Sequence, residues 1–260
     1  MPNIAINGES FNVQINGAES APPLLISNSL SSDLTMWDEQ VQSWSRHFRV
    51  IRYDQRGHGG SVVSPGPYTM DQLGGDAIAV LDALGIPRAH FLGLSMGGMV
   101  GMWLLTHAAE RIDRAVLSNT SAHMGPVDLW NGRMALAKEG GMEATVEPTL
   151  KRWFPAEFHA ASPAAIERMR AMIRRVPLEG DLGSCAAIRD MDQRESIRGI
   201  RNPVLVLIGT KDPATTPEAG RAIHAAIPGA QLALIAAAHI SNVEEPTEFT
   251  RITQAFLLGR

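Results

Sequence analysis

A single cysteine, Cys185, stands in the whole chain of 260 residues. That excludes an internal disulfide and any metal site built on paired thiolates. No run is both long and apolar enough to span a bilayer. The most apolar stretch, Gly93 to Ala109, is too short and is interrupted by glycines and polar side chains. No Lys or Arg precedes Arg46, so the chain opens with neither the positive region of a signal peptide nor the arginines of a transit peptide. A formal charge of −4 leaves no basic footprint for nucleic acid. Histidine and glutamate are scattered without metal-ligand spacing, and no repeat or low-complexity tract is evident. These absences leave the cytoplasm as the expected compartment and a small molecule as the expected partner, with no metal, cofactor, membrane or nucleic acid implied.

What is present is ordinary for a globular protein, with 45% hydrophobic and 19% charged residues. The length suits one large domain, or one domain carrying an insertion. Asn3–Ile6 and Phe11–Ile15 alternate around Asn7-Gly8-Glu9-Ser10 and predict an antiparallel hairpin. Leu24–Ile26, Phe48–Ile51, Phe91–Leu92, Ala115–Leu117, Val204–Ile208 and Leu232–Ile235 are short apolar runs of the kind that form buried parallel strands. Helical periodicity covers Met70–Leu84, Met96–Ala109 and Pro246–Leu258. Strand and helix alternate, which predicts an α/β fold with a doubly wound, mostly parallel, eight-stranded sheet. The alternation lapses in the middle of the chain. Residues 124–183 favour helix and predict a cap inserted into a core made of 1–123 and 184–260. Eight Lys or Arg balance eight Asp or Glu from Met124 to Asp181, so any preference for anions in the cap must come from single arginines.

Gly93-Leu94-Ser95-Met96-Gly97 lies between a strand run and a helix run. There it fits a nucleophile elbow, a serine on a tight turn that needs small neighbours. A serine hydroxyl needs a positioned base, itself oriented by a carboxylate. On this layout both follow later strands, in the order acid then histidine. Asp212 follows Val204–Ile208, and His239 follows Leu232–Ile235. Asp212 could instead form only a turn or helix cap, and His239 could be an ordinary loop histidine. His58, His107, His123 and His224 are read as structural or exposed. Backbone N–H groups serve best as donors to a tetrahedral oxyanion, because they are fixed before the reaction. Met96, after the serine, and Leu30, in the loop Ser27-Asn28-Ser29-Leu30, are the candidates. Arg52-Tyr53-Asp54-Gln55-Arg56-Gly57-His58-Gly59 follows a strand and is read as a tight structural loop.

With these residues in place the chain resembles the α/β-hydrolase superfamily over its full length, and within it the 3-oxoadipate enol-lactonases. The resemblance rests on Ser27-Asn28-Ser29-Leu30 with Met36-Trp37, Arg52-Tyr53-Asp54 with Arg56-Gly57-His58-Gly59, Gly66-Pro67-Tyr68, the elbow with Gly98-Met99, Arg152-Trp153-Phe154, and His239–Glu244. One departure is Ser31-Ser32, where a glycine is common after the oxyanion residue. The resemblance implies opening of a five-membered enol-lactone that carries a carboxymethyl arm, through an acyl-enzyme on Ser95 and without metal or organic cofactor. The arm's carboxylate calls for a cation in an apolar pocket, and arginine suits it. Arg133, close to Trp130, is the leading candidate, with Arg152 and Arg189 in reserve. Trp153, Trp130 and Asn28 are expected to line the substrate. The alternatives on this scaffold are a carboxylesterase, a carbon–carbon bond hydrolase acting on a ring-cleavage product, and a non-catalytic binder of small molecules.

Overall fold

A short run in which every residue is apolar needs cover on both sides, because successive side chains of a strand point to opposite faces. The computed structural model describes residues 3–6 and 8–260, and shows how that cover is provided. Eight strands, β1 (Asn3–Ile6), β2 (Glu9–Asn16), β3 (Pro23–Ser27), β4 (Arg49–Tyr53), β5 (Ala89–Leu94), β6 (Ile112–Ser118), β7 (Val204–Gly209) and β8 (Gln231–Ile235), form one sheet in the order β1-β2-β4-β3-β5-β6-β7-β8. β1 and β2 pair antiparallel, β2 pairs antiparallel with β4, and every other pairing is parallel. The hairpin pairs Ile6 with Glu9, so Glu9 and Ser10, expected in the turn, belong to β2. Asn7 of that turn lies outside the described residues.

The helices are α1 (Asp38–Trp44), α2 (Met70–Ala83), α3 (Met96–His107), α4 (Val127–Trp153), α5 (Ala156–Ala161), α6 (Pro163–Arg175), α7 (Leu178–Asp190), α8 (Pro217–Ala226), α9 (Ser241–Glu244) and α10 (Pro246–Leu257). In β7, Val204, Val206 and Ile208 join the core shared with α2, α3 and α8, whereas Leu205 and Leu207 join the core on the opposite face with Trp44 of α1 and Phe249 of α10. Trp37, Trp44 and Phe249 meet there with ring centroids 6.0 to 6.4 Å apart. The two-sided burial explains why β7 is uniformly apolar.

Between β6 and β7 the chain builds four helices, α4 to α7, as a cap. The expected cap span of 124–183 ends within α7, which runs on to Asp190. α4 is broken at Gly141, whose φ of 67° leaves the helical region, so its two halves point differently. No helix among the described residues is long and apolar enough to cross a membrane.

Candidate active site

β5 ends at Leu94 and α3 begins at Met96, so Ser95 alone must turn the chain, at φ 58° and ψ −117°. A serine keeps such a conformation only when its surroundings hold it. Its N–H donates to the Ser118 carbonyl at 3.0 Å, and its own carbonyl accepts from Thr120 Oγ1 at 2.7 Å. A β-carbon at Gly93 would collide with the Gly97 carbonyl, and one at Gly97 with the Ser27 carbonyl. The turn is therefore available only to this pattern of small residues.

His239 Nε2 lies 2.9 Å from Ser95 Oγ, and His239 Nδ1 lies 2.9 Å from Asp212 Oδ2. All three side chains are buried. A carboxylate only accepts, so Nδ1 carries the imidazole proton and Nε2 is left free to accept the Ser95 proton. Asp212 Oδ1 also accepts from the N–H groups of Ala214 (2.8 Å) and Thr215 (3.0 Å), and Oδ2 from Thr215 Oγ1 (2.8 Å) and Asn119 Nδ2 (3.0 Å). Burial alone would raise the Asp212 pKa. The charge of His239 and these hydrogen bonds outweigh it and hold the carboxyl below its ordinary value.

Asn119 and Thr215 escaped the sequence reading. Asn119 ends the β6 strand run in a left-handed conformation, φ 45°, and its amide bridges Asp212 Oδ2 and the Ala238 carbonyl at 3.0 and 2.9 Å. Asparagine at the carboxyl end of β6, one strand before the acid, was the available signal. Glu244 accepts from the Ala238 N–H at 2.7 Å, and the His239 N–H donates to the Trp153 carbonyl at 3.1 Å, so the end of α4 helps seat the histidine loop.

The N–H groups of Leu30 and Met96 have no acceptor among the described residues, which leaves both available to a ligand. Asn28, expected at the substrate, is instead fully engaged in scaffolding. Its Nδ2 donates to the Tyr53 carbonyl at 2.9 Å, its Oδ1 accepts from Trp37 Nε1 at 2.7 Å, and its carbonyl accepts from the Gly97 N–H at 2.9 Å. A short amide in a fully buried loop satisfies the backbone around it before it can reach a ligand.

A cavity of about 240 Å³ opens over Ser95 and His239, walled by Met99, Leu129, Trp130, Trp153 and Ile188, with Arg133 and Arg152 among its polar lining. Trp130 and Trp153, the two expected tryptophans, both face this cavity. Arg133 also reaches the cavity, but there its guanidinium is held in an ion pair, against the expectation that it is free for a substrate carboxylate. Nη2 pairs with Asp181 at 3.1 Å and donates to Ser31 Oγ at 2.8 Å, Nη1 reaches Thr149 Oγ1 at 3.2 Å, and Nε reaches Cys185 Sγ at 3.3 Å. Burial would lower the Arg133 pKa, but the Asp181 charge prevails and raises it, while the Asp181 carboxyl is lowered against its own burial. Cys185, in the same contact, is pushed up to about 12 by burial. Arg189 is engaged with Asp190 and Asn131 on the surface and does not line the cavity. Arg152 is different: it lines the cavity, is half-buried, and has no hydrogen bond or ion pair among the described residues. Burial and then the nearby Arg133 charge depress its pKa, against weaker pulls from Cys185 and Asp181.

The Arg52–Gly59 loop is structural. Arg56 pairs with Asp76 and Glu9, Arg52 with Asp38, and Asp54 accepts from the N–H groups of Leu34 and Gly60. Among the described residues no group of three or more His, Cys, Asp or Glu side chains is arranged to hold a metal ion.

A serine on a strained elbow, linked through histidine to a carboxylate on successive loops of a mostly parallel sheet, defines a hydrolase architecture. A family model described as the alpha/beta hydrolase fold matches residues 22–246. The chain belongs to the α/β-hydrolase fold family. Within it, the chain is similar to the 3-oxoadipate enol-lactonases 2 and 1 of Acinetobacter baylyi. Identity to the first is 38%, over 98% of this chain and 93% of the relative, and to the second 36%, over 96% and 94%. The crystal structure of the enol-lactonase from Burkholderia xenovorans superposes with a TM-score of 0.97 at 42% identity, covering 100% of both chains.

Proposed function

We propose that the chain hydrolyses 3-oxoadipate enol-lactone to 3-oxoadipate, a step of aromatic-compound degradation in the cytoplasm. The observation that carries this reading is the guanidinium of Arg152, unpaired among the described residues, in the same apolar cavity as Ser95 and His239, with Asp212 hydrogen-bonded behind the histidine. A substrate that is both an ester and an anion complements both features. The similarity to named enol-lactonases supports the same choice.

In this mechanism Ser95 Oγ adds to the lactone carbonyl while His239 Nε2 takes its proton, and Asp212 holds the imidazole and stabilises its charge. The Leu30 and Met96 N–H groups receive the oxyanion, a contribution for which one donor is typically worth about 100- to 1000-fold in turnover. Collapse of the adduct breaks the ring C–O bond. The leaving enol oxygen takes the proton from His239, and the enol tautomerises to the ketone. Water, deprotonated by His239, then attacks the acyl carbonyl, and expulsion of Ser95 releases the dicarboxylate. Arg152 holds the carboxymethyl arm throughout, with Trp130 and Trp153 walling the ring.

The test is turnover of the enol-lactone beside neutral p-nitrophenyl acetate. Ser95→Ala should reduce kcat by about 10⁴-fold or more. Arg152→Ala should raise KM for the lactone about 10- to 100-fold more than for the neutral ester, as loss of a charge-assisted carboxylate contact predicts. A wild-type preference for neutral esters would make the chain a carboxylesterase instead. Equal losses on both substrates would remove Arg152 from the role.

A further inference from the structure

Ser31 directly follows the Leu30 donor and sits at φ 62°, where glycine would be at ease and serine is strained. Its side chain and backbone are both held. Ser31 Oγ donates to Asp181 Oδ1 at 2.6 Å and accepts from Arg133 Nη2 at 2.8 Å, while the Ser31 N–H donates to His58 Nε2 at 3.1 Å. Asp181 comes from α7 and Arg133 from α4, so two cap helices converge on one hydroxyl of the core. Asp181 is completely buried, and an ion pair so deep is weak evidence for stabilisation, since desolvating both charges offsets their attraction. What it does supply is direction. A hydroxyl that donates to one fixed group and accepts from another has no rotational freedom left, and its backbone is fixed with it.

We propose that Ser31, Asp181 and Arg133 are positioning residues through which the cap sets the Leu30 N–H in the oxyanion hole, so that the cap serves the chemical step as well as substrate binding. The inference rests on the reading of Ser95 as nucleophile and Leu30 as oxyanion donor, but not on the identity of the lactone. It also accounts for the serine where a glycine is common: the side chain offsets the backbone strain by anchoring the loop to the cap.

Ser31→Gly removes the hydroxyl while suiting the backbone, and it is the variant least exposed to misfolding. With p-nitrophenyl acetate its kcat should fall about tenfold with KM changed less than about twofold, because one of the two donors loses its aim and the other remains. Phenylboronic acid, whose tetrahedral adduct on Ser95 places an oxygen among the same donors, should bind more weakly by the same factor. Asp181→Asn should move both quantities in the same direction. A merely structural role would lower Tm without coupling kcat to boronate affinity. If wild type hydrolyses the ester and binds the boronate but Ser31→Gly leaves both unchanged, or if the loss falls on KM alone, the inference is overturned by itself. If wild type does neither, the nucleophile reading fails and carries this inference with it.

Discussion

A histidine that accepts a hydrogen bond through Nε2 must be neutral, and His58 does so from the Ser31 N–H while its Nδ1 faces the Arg56 carbonyl at 3.2 Å. Burial lowers its pKa below the ordinary 6.5, against opposing pulls from the Arg56 carbonyl and from Asp181, Asp54 and Asp33. Below pH 6.5 the unfolded chain therefore binds a proton that the folded protein resists. Where the unfolded state holds more protons, stability rises with pH. The contribution is complete above 6.5 and is lost as pH falls from there towards the lower folded value. His58→Gln keeps an acceptor and cannot titrate. Its Tm should fall less than that of wild type between pH 7 and pH 5, as followed by scanning calorimetry. Equal slopes would mean that His58 does not titrate across folding.

At the scale of the element, α4 contains two glycines with open space where a β-carbon would stand, and they differ in backbone. A β-carbon at either Gly132 or Gly141 meets nothing within 4 Å, but Gly141 has φ 67° and Gly132 is helical. Gly132→Ala should stabilise by up to about 1 kcal/mol, through helix propensity and a less flexible unfolded chain. Gly141→Ala should destabilise by about 1–3 kcal/mol, the cost for a residue with a β-carbon of a positive φ combined with ψ −172°, a region essentially restricted to glycine. Urea denaturation of the pair checks the opposite signs, and a loss at both sites would refute the argument from backbone angle.

The same contrast separates what was legible in the chain from what was not. The central strands of the sheet are legible because both faces are covered, so that Val204–Ile208 is apolar at every position. The elbow was legible because steric need leaves its glycines no substitute. Asp212 and His239 were legible because each follows a recognisable strand run. The roles of Asn28, Asn119 and Arg133 are not legible because their partners Tyr53, Asp212 and Asp181 lie far along the chain, and that of Thr215, three residues from Asp212, because a threonine in a loop carries no signal of its own. The Arg133–Asp181 pair joins two helices of a region where the sequence showed only balanced charge, and nothing local says which arginine finds the carboxylate. Arg152 differs from Arg133 in lacking that partner, a difference that exists only after the cap has folded.

For the molecule as a whole, the cap's apolar residues decide whether it is a separate unit. Met142, Val146, Leu150, Trp153, Met169 and Ile173 of the cap share one buried cluster with Leu92, Val116 and Leu205 of the sheet. A unit whose core is continuous with its neighbour's exposes that shared surface if it unfolds alone, and about 25 cal/mol per Å² of apolar area opposes the separation. The polar ties run the same way, from Ser31 to Asp181 and from the His239 N–H to the Trp153 carbonyl. Cap and core should therefore unfold as one cooperative body even if the cap shifts slightly when substrate enters. Hydrogen exchange read by mass spectrometry in rising urea tests this: peptides from α6 and from β7 should lose protection over the same range of denaturant. Loss from α6 while β7 remains protected would show that the cap folds independently. It would also weaken the case that the cap can hold the oxyanion loop, since a positioning element must be at least as stable as the residue it positions.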